Sequence, residues 1–234
     1  MSLKVEEIHT FYGKSHVLQG VSLEVGRGEI VGLLGRNGVG KSTTLKSIVG
    51  LVCPSRGSIQ FRGEEVVGLR PHQICQLGLG FVPEERRIFP GLTVQENLLI
   101  GIKANQQVDD PWTIEKIYTF FPQLGKRDRQ KGRYLSGGEQ QMLTIGRTLM
   151  GNPELLLVDE PTEGLSPGLV EMVIQILRGI NEKGCSILIV EHAIDVVLSL
   201  ATRAYVMSKG KIVYGGTGQE VHDNEEVRRQ YLEV

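Results

Sequence analysis

Residues 35–42, Gly35-Arg36-Asn37-Gly38-Val39-Gly40-Lys41-Ser42, satisfy every fixed position of the pattern G-x-x-x-x-G-K-[ST]. The pattern works in one setting: a buried strand that stops abruptly, a loop that wraps an anion, and a helix that starts at once. The flanks supply both elements. Residues 30–34 are an apolar run of parallel-strand length, and after Thr43 the residues Leu45, Ile48 and Val49 recur at helical spacing. Glycines 35, 38 and 40 let backbone N–H groups close around phosphate oxygens. The helix beginning near Lys41 adds its positive end. Lys41 is placed for the β- and γ-phosphates, and Ser42 for Mg²⁺. The chain is therefore expected to bind a nucleoside triphosphate through residues 35–43.

Two further stretches end apolar runs on ionisable residues. Residues 155–158, Leu-Leu-Leu-Val, run into Asp159 and Glu160. A strand buried on both faces delivers such carboxylates to its C-terminal edge, where open α/β sheets bind ligands. Asp159 suits the Mg²⁺ shell, and Glu160 suits acceptance of a proton from attacking water. Residues 186–190 form another apolar strand, ending at Glu191-His192. His192 at that edge is a candidate γ-phosphate contact. In 135–141, Leu-Ser-Gly-Gly-Glu-Gln-Gln, Ser136 and Glu139 read as a capping box opening a helix whose free N–H groups suit a second phosphate contact. Met142, Leu143 and Leu149 are its expected buried side.

The remaining chain reads as scaffold. Residues 3–25 alternate as two antiparallel strands around a turn, with Tyr12 at its start. Strands are expected at 58–61 and 79–82, and a short helix at 70–76. Thr93 and Glu96 cap a helix with Leu98, Leu99 and Ile102 facing inward. A polar loop at 105–111 leads to a helix over 112–121. The basic run 126–133 reads as a solvated connector, because the whole chain is near neutral. A helix at 167–180, a hairpin of 204–207 with 211–214, and an amphipathic helix over 220–234 complete the reading.

At 234 residues the chain is long enough for a full core with an inserted subdomain. A formal net charge of −1 gives no electrostatic footprint for nucleic acid. Cys53, Cys75 and Cys185 are far apart and lack CxxC spacing, which suggests packing thiols in a reducing compartment. With neither an N-terminal apolar h-region nor an apolar run of about 18 residues, the expected location is cytoplasmic, with membrane contact only through partners.

Taken together, the phosphate loop, LSGGEQQ, LLLVDE and VEHA resemble the ATP-binding cassette of ABC transporters across essentially the whole chain. That resemblance implies an α/β fold. It would have a P-loop NTPase core with a mainly parallel sheet, an N-terminal antiparallel β subdomain and an inserted α-helical subdomain. The implied division is 1–84 with 151–234 as the core, and 85–150 as the helical part carrying the signature motif. It also implies ATP and Mg²⁺ as ligands, and Tyr12 as the aromatic that stacks on adenine. A second cassette, identical or different, would be the partner, with Ser136, Gly137 and Gly138 completing its site. The chain would sit on the inner membrane face through permease subunits, and the loop 86–92, with Ile88 and Phe89, is the candidate contact.

Two departures narrow the resemblance. Glu84 stands where the family usually carries a glutamine that contacts Mg²⁺ and water, and the loop after Glu160 lacks the usual aspartate after Gly-Leu. With TVQENL, EPTEGLSP and EVRRQYL, these look like the ATPases of branched-chain amino acid importers, which also imply an indirect periplasmic binding protein. Urea and short-amide importers are the near alternative, and a non-transport cassette the more remote one.

Overall fold

The computed structural model describes residues 2–103 and 108–232. The chain begins as a hairpin, β1 (Leu3–Tyr12) and β2 (Ser15–Val25), then enters the main sheet at β3 (Ile30–Leu34) and turns through the glycine loop into α1 (Lys41–Ile48). It continues through β4 (Arg56–Phe61), β5 (Glu64–Glu65) and α2 (Pro71–Gln76), and returns to the sheet as β6 (Leu79–Val82). Four helices follow: α3 (Val94–Leu99), α4 (Ile114–Phe120), α5 (Pro122–Gly125) and α6 (Gly137–Leu149). After β7 (Leu155–Asp159) come α7 (Pro167–Glu182), β8 (Ser186–Glu191) and α8 (Ile194–Leu200). The hairpin β9 (Arg203–Ser208) and β10 (Lys211–Thr217) leads to α9 (Gly218–Asp223) and α10 (Glu225–Val227).

The strands make two sheets. One is antiparallel, of order β2-β1-β4-β5; the other has order β10-β9-β3-β8-β7-β6, parallel except for β10. The fold is thus the expected α/β arrangement with a separate antiparallel sheet. Successive residues of a strand point to opposite faces, and β7 divides accordingly. Leu156 and Val158 join a core with the helices α3 to α8, while Leu155 and Leu157 join a second core with α1 and the antiparallel sheet. Burial on both faces explains why these strands are continuous apolar runs.

Four expectations change on this scaffold. Leu98 is buried, but Leu99 and Ile102 are exposed. The six-residue α3 buries Val94, Asn97 and Leu98, an i, i+3, i+4 stripe that leaves Leu99 outside, and the helix ends before Ile102. Ile88 is partly buried against the helical core, and Phe89 alone of that pair stands exposed. Among the described residues the tail breaks at Asn224 into α9 and a second helical stretch, α10 continued by a π-helical turn over Arg228–Leu232, because Asn224 leaves helical geometry and its side chain caps a new start at Val227 N. Cys53 is exposed, so packing accounts only for Cys75 and Cys185, whose thiol burial pushes up to about 12. Residues 105–107 of the expected polar loop and 233–234 of the expected tail helix lie outside the described residues.

Candidate functional site

Register brings the predicted residues together. Leu34 of β3 pairs with Glu191 of β8, and Val190 pairs with Asp159 of β7. The glycine loop, Glu191-His192 and Asp159-Glu160 therefore leave three neighbouring strands at the same edge, at the roughly 4.8 Å spacing of a sheet. Gly35 and Gly40 are there for steric reasons. Gly40 caps α1 with φ +114, and a Cβ there would lie 2.9 Å from Leu18 and Met207 side-chain atoms. A Cβ on Gly35 would sit 2.5 Å from the Met207 carbonyl oxygen. Arg36, Asn37 and Gly38 are exposed at the crown of the loop, and Val39 and Thr43 are half-buried. The Val39 carbonyl accepts from Gly210 N at 2.9 Å, tying the loop to the β9–β10 hairpin.

Lys41 is buried, and its three donors have three acceptors: Gly35 O at 2.8 Å, Arg36 O at 3.2 Å and Glu160 Oε1 at 3.1 Å. Glu160 reaches it from a left-handed backbone, φ +42, a conformation that costs a non-glycine residue about 1–3 kcal/mol. The Glu160 amide donates to Val190 O at 3.0 Å, which holds that turn. Its second oxygen lies 3.4 Å from His192 Nδ1. Lys41, Glu160 and His192 thus form one line across the strand edge.

Beside this line lies an acidic group. Ser42 Oγ donates to Asp159 Oδ1 at 2.9 Å. Burial, with the charges of Glu160 and Glu84 adding to it, pushes the Asp159 carboxyl up to about 6. Glu163 is raised too, by desolvation and then by Glu84 and Glu160. Hard oxygen donors that repel one another suit a small hard cation. Among the described residues no cluster of three or more His, Cys, Asp or Glu could hold a metal alone. Mg²⁺ bound through one or two protein oxygens together with substrate phosphates fits that donor set. The raised Asp159 has a consequence for the metal-free protein. Folding takes up a proton between the ordinary value of 3.8 and about 6, so this group's contribution to stability falls as pH rises through that window. Asp159→Asn is expected to flatten that stretch of the stability profile in EDTA. Chemical unfolding at a series of pH values checks it, and equal slopes for the two proteins would remove the assignment.

The other predicted residues lie apart from this cluster. Tyr12 ends β1 and is 46% exposed, so it is not a core aromatic. Ser136 caps α6 with the expected reciprocal box: Glu139 N donates to Ser136 Oγ at 3.3 Å and Ser136 N to Glu139 Oε2 at 2.8 Å. Ser136 is exposed, Gly137 half-buried and Gly138 buried. Leu169 of α7 packs on Gly138, and the Arg86 guanidinium packs on Gly137.

Sequence reasoning placed Arg86 only in the candidate contact loop 86–92 and assigned no role in the site to Arg86, Thr162, Glu163 or Glu191. Arg86 Nη2 donates to Glu163 O at 3.0 Å, so one side chain touches both the start of α6 and the loop after Glu160. No motif spacing marks such a bridge. Glu191 stood next to His192 in plain view, yet a carboxylate gives no sign in sequence that it will be fully buried.

A separate apolar groove of about 400 Å³ is lined by Leu51, Phe81, Phe89 and Ile100, with Lys103 and Arg147 at its walls. Phe89, Leu51 and Ile100 are 46%, 50% and 52% exposed. Among the described residues no helix is long and apolar enough to cross a membrane.

The glycine loop on β3 and the acid-ended β7, side by side in a parallel sheet, define a P-loop nucleoside triphosphatase. The family model described as ABC transporter matches residues 18–163. The high-affinity branched-chain amino acid transport ATP-binding protein BraG of Pseudomonas aeruginosa is 43% identical over 98% of this chain and 99% of its own. The lipopolysaccharide export system ATP-binding protein LptB of Haemophilus influenzae is 37% identical over 98% of this chain and 96% of its own. Among solved structures, a dimeric post-hydrolysis ATP-binding cassette, MJ0796 with ADP and Pi, superposes with a TM-score of 0.79. It is 26% identical over 92% of this chain and 98% of that one. This chain belongs to the ABC transporter family, as one of its ATP-hydrolysing subunits.

Proposed function

We propose that the chain is one half of the ATPase motor of a branched-chain amino acid importer. The line Lys41–Glu160–His192 beside the Ser42–Asp159 pair carries the hydrolytic part of this reading. The name of the 43%-identical relative supports the cargo. In the proposed cycle the loop 35–43, with Gly35, Arg36, Asn37, Gly38, Val39, Gly40 and Lys41, cradles the triphosphate of ATP, and Tyr12 stacks on the adenine. Ser42 and Asp159, with Glu84 beside them, hold Mg²⁺, which when bound neutralises phosphate charge. Glu160 accepts the proton of the attacking water, and His192 contacts the γ-phosphate. Most of the rate enhancement then comes from positioning and fixed charge.

Ser136, Gly137 and Gly138 close on the nucleotide of a second cassette, identical or different. The exposed cap and the dimeric relative with ADP and Pi support that arrangement. In this reading 1–84 with 151–234 are the core and 85–150 the helical part. The subunit is cytoplasmic and peripheral on the inner membrane face. It meets its permeases at the groove around Phe89 and serves a periplasmic binding protein only through them; nucleic acid is not a partner.

Vesicles carrying the subunit with its permeases and binding protein are expected to take up labelled leucine or valine when ATP is supplied inside. A Phe89→Cys variant is expected to crosslink to the permeases. Uptake of urea or a short amide instead would move the cargo to the neighbouring importers. Extraction of lipopolysaccharide, as the LptB relative's name suggests, would replace import by export. Crosslinks that consistently miss the membrane subunits would remove the groove assignment.

A further inference from the structure

Glu191 is fully buried at the last position of β8, and among the described residues no lysine or arginine forms an ion pair with it. Its Oε1 accepts from Thr162 Oγ1 at 2.6 Å and from Thr162 N at 3.2 Å. Its Oε2 accepts from His192 N at 3.2 Å and lies 3.8 Å from His192 Nδ1. A carboxylate taken wholly out of water is costly unless hydrogen-bonded. At this spot between two apolar cores an uncharged residue would satisfy packing alone. What the carboxylate adds is a side-chain tie between two chain segments, just beyond the last backbone bond between them, Glu160 N to Val190 O at 3.0 Å. One is the loop carrying Glu160, whose next residues include Thr162; the other is the strand end carrying His192.

We infer that Glu191 is a positioning residue for hydrolysis: its buried carboxylate clamps Thr162 to the His192 turn and so sets the imidazole against Glu160. The inference rests on the hydrolytic roles proposed above for those two residues. Glu160 Oε2 and Glu191 Oε2 both face Nδ1, at 3.4 and 3.8 Å. Two acceptors on that side favour the N–H at Nδ1, and Nε2 is left as the atom for the nucleotide. Without the clamp only the backbone bond from Glu160 N to Val190 O ties the Glu160 turn to the strand end that carries His192. Misplacement of about 1 Å at a reacting centre can cost about a hundredfold in rate.

The test uses the full-length protein, with Glu191→Gln, Thr162→Val and Thr162→Ser variants. In Glu191→Gln the amide still accepts from Thr162, but its NH₂ faces the His192 N–H, donor against donor. Thr162→Val removes the hydroxyl at constant volume, and Thr162→Ser keeps it. Turnover is expected to fall roughly ten- to a hundredfold in Glu191→Gln and Thr162→Val, with KM for ATP within about twofold of the parent. Thr162→Ser is expected to restore the parental rate, and the double variant Glu191→Gln/Thr162→Val to be no worse than the poorer single one. Parental turnover in both single variants would overturn the clamp. So would a loss of ATP affinity and melting temperature that tracks the loss of rate, since that marks scaffold and not positioning. A parent protein that hydrolyses no ATP would instead bring down the underlying functional reading.

Discussion

Glu160→Gln is expected to lower steady-state ATP turnover by about 10²–10⁴-fold, the range a positioned general base supplies. ATP affinity should be kept or increased. The structure gives the reason for the second half: Glu160 Oε1 is bound to the Lys41 ammonium at 3.1 Å, with both side chains largely buried. The γ-phosphate must take Lys41 away from that carboxylate. The amide binds Lys41 less tightly, so the phosphate meets a weaker competitor. With binding intact and hydrolysis stopped, the variant should accumulate as an ATP-bound dimer on gel filtration, whereas the parent dissociates as it turns over. Phosphate release at the parental rate would refute the proton-acceptor role.

Loss of Lys41 acts on the other side of the same pair. Lys41→Ala is expected to weaken ATP binding roughly 10- to 100-fold, since hydrogen bonds to charged groups contribute about 1.5–3 kcal/mol. The ammonium also bonds Gly35 O and Arg36 O, so its removal takes a donor from both loop carbonyls and from the Glu160 carboxylate. Breaking a buried pair by deleting one partner typically costs 3–5 kcal/mol. A lowered melting temperature without nucleotide should therefore accompany the lost affinity. Combining Lys41→Ala with Glu160→Gln should recover part of that stability and none of the hydrolysis. An unchanged nucleotide titration would rule out the phosphate-loop assignment.

Local chemistry made much of this site readable from the chain alone. The spacing of Gly35, Gly40, Lys41 and Ser42 requires the strand, loop and helix seen here. The run into Asp159-Glu160 required a doubly buried strand, and Ser136 with Glu139 required a capped helix start. Each is a short-range pattern whose cause lies within a few residues. Where expectation failed, packing and side-chain bonding decided burial among residues of equal hydrophobicity. Leu99 looked as apolar as Leu98, but a six-residue helix has only one stripe to bury, and Asn97 takes a place in it by bonding Phe89 and Thr93. Ile88 and Phe89 looked alike, but only Ile88 packs against the helical core.

Order along the chain thus told which residues carry the chemistry, because phosphate binding, capping and strand burial leave periodic or fixed-spacing traces. Their meeting was decided by the sheet. Pairing of Leu34 with Glu191 and of Val190 with Asp159 joins segments 157 and 31 residues apart in the chain, and no local signal encodes that register. The Lys41–Glu160–His192 line, the Glu191 clamp on Thr162 and the rise of Asp159 to about 6 all follow from it, since each depends on burial and on a neighbour supplied by another strand.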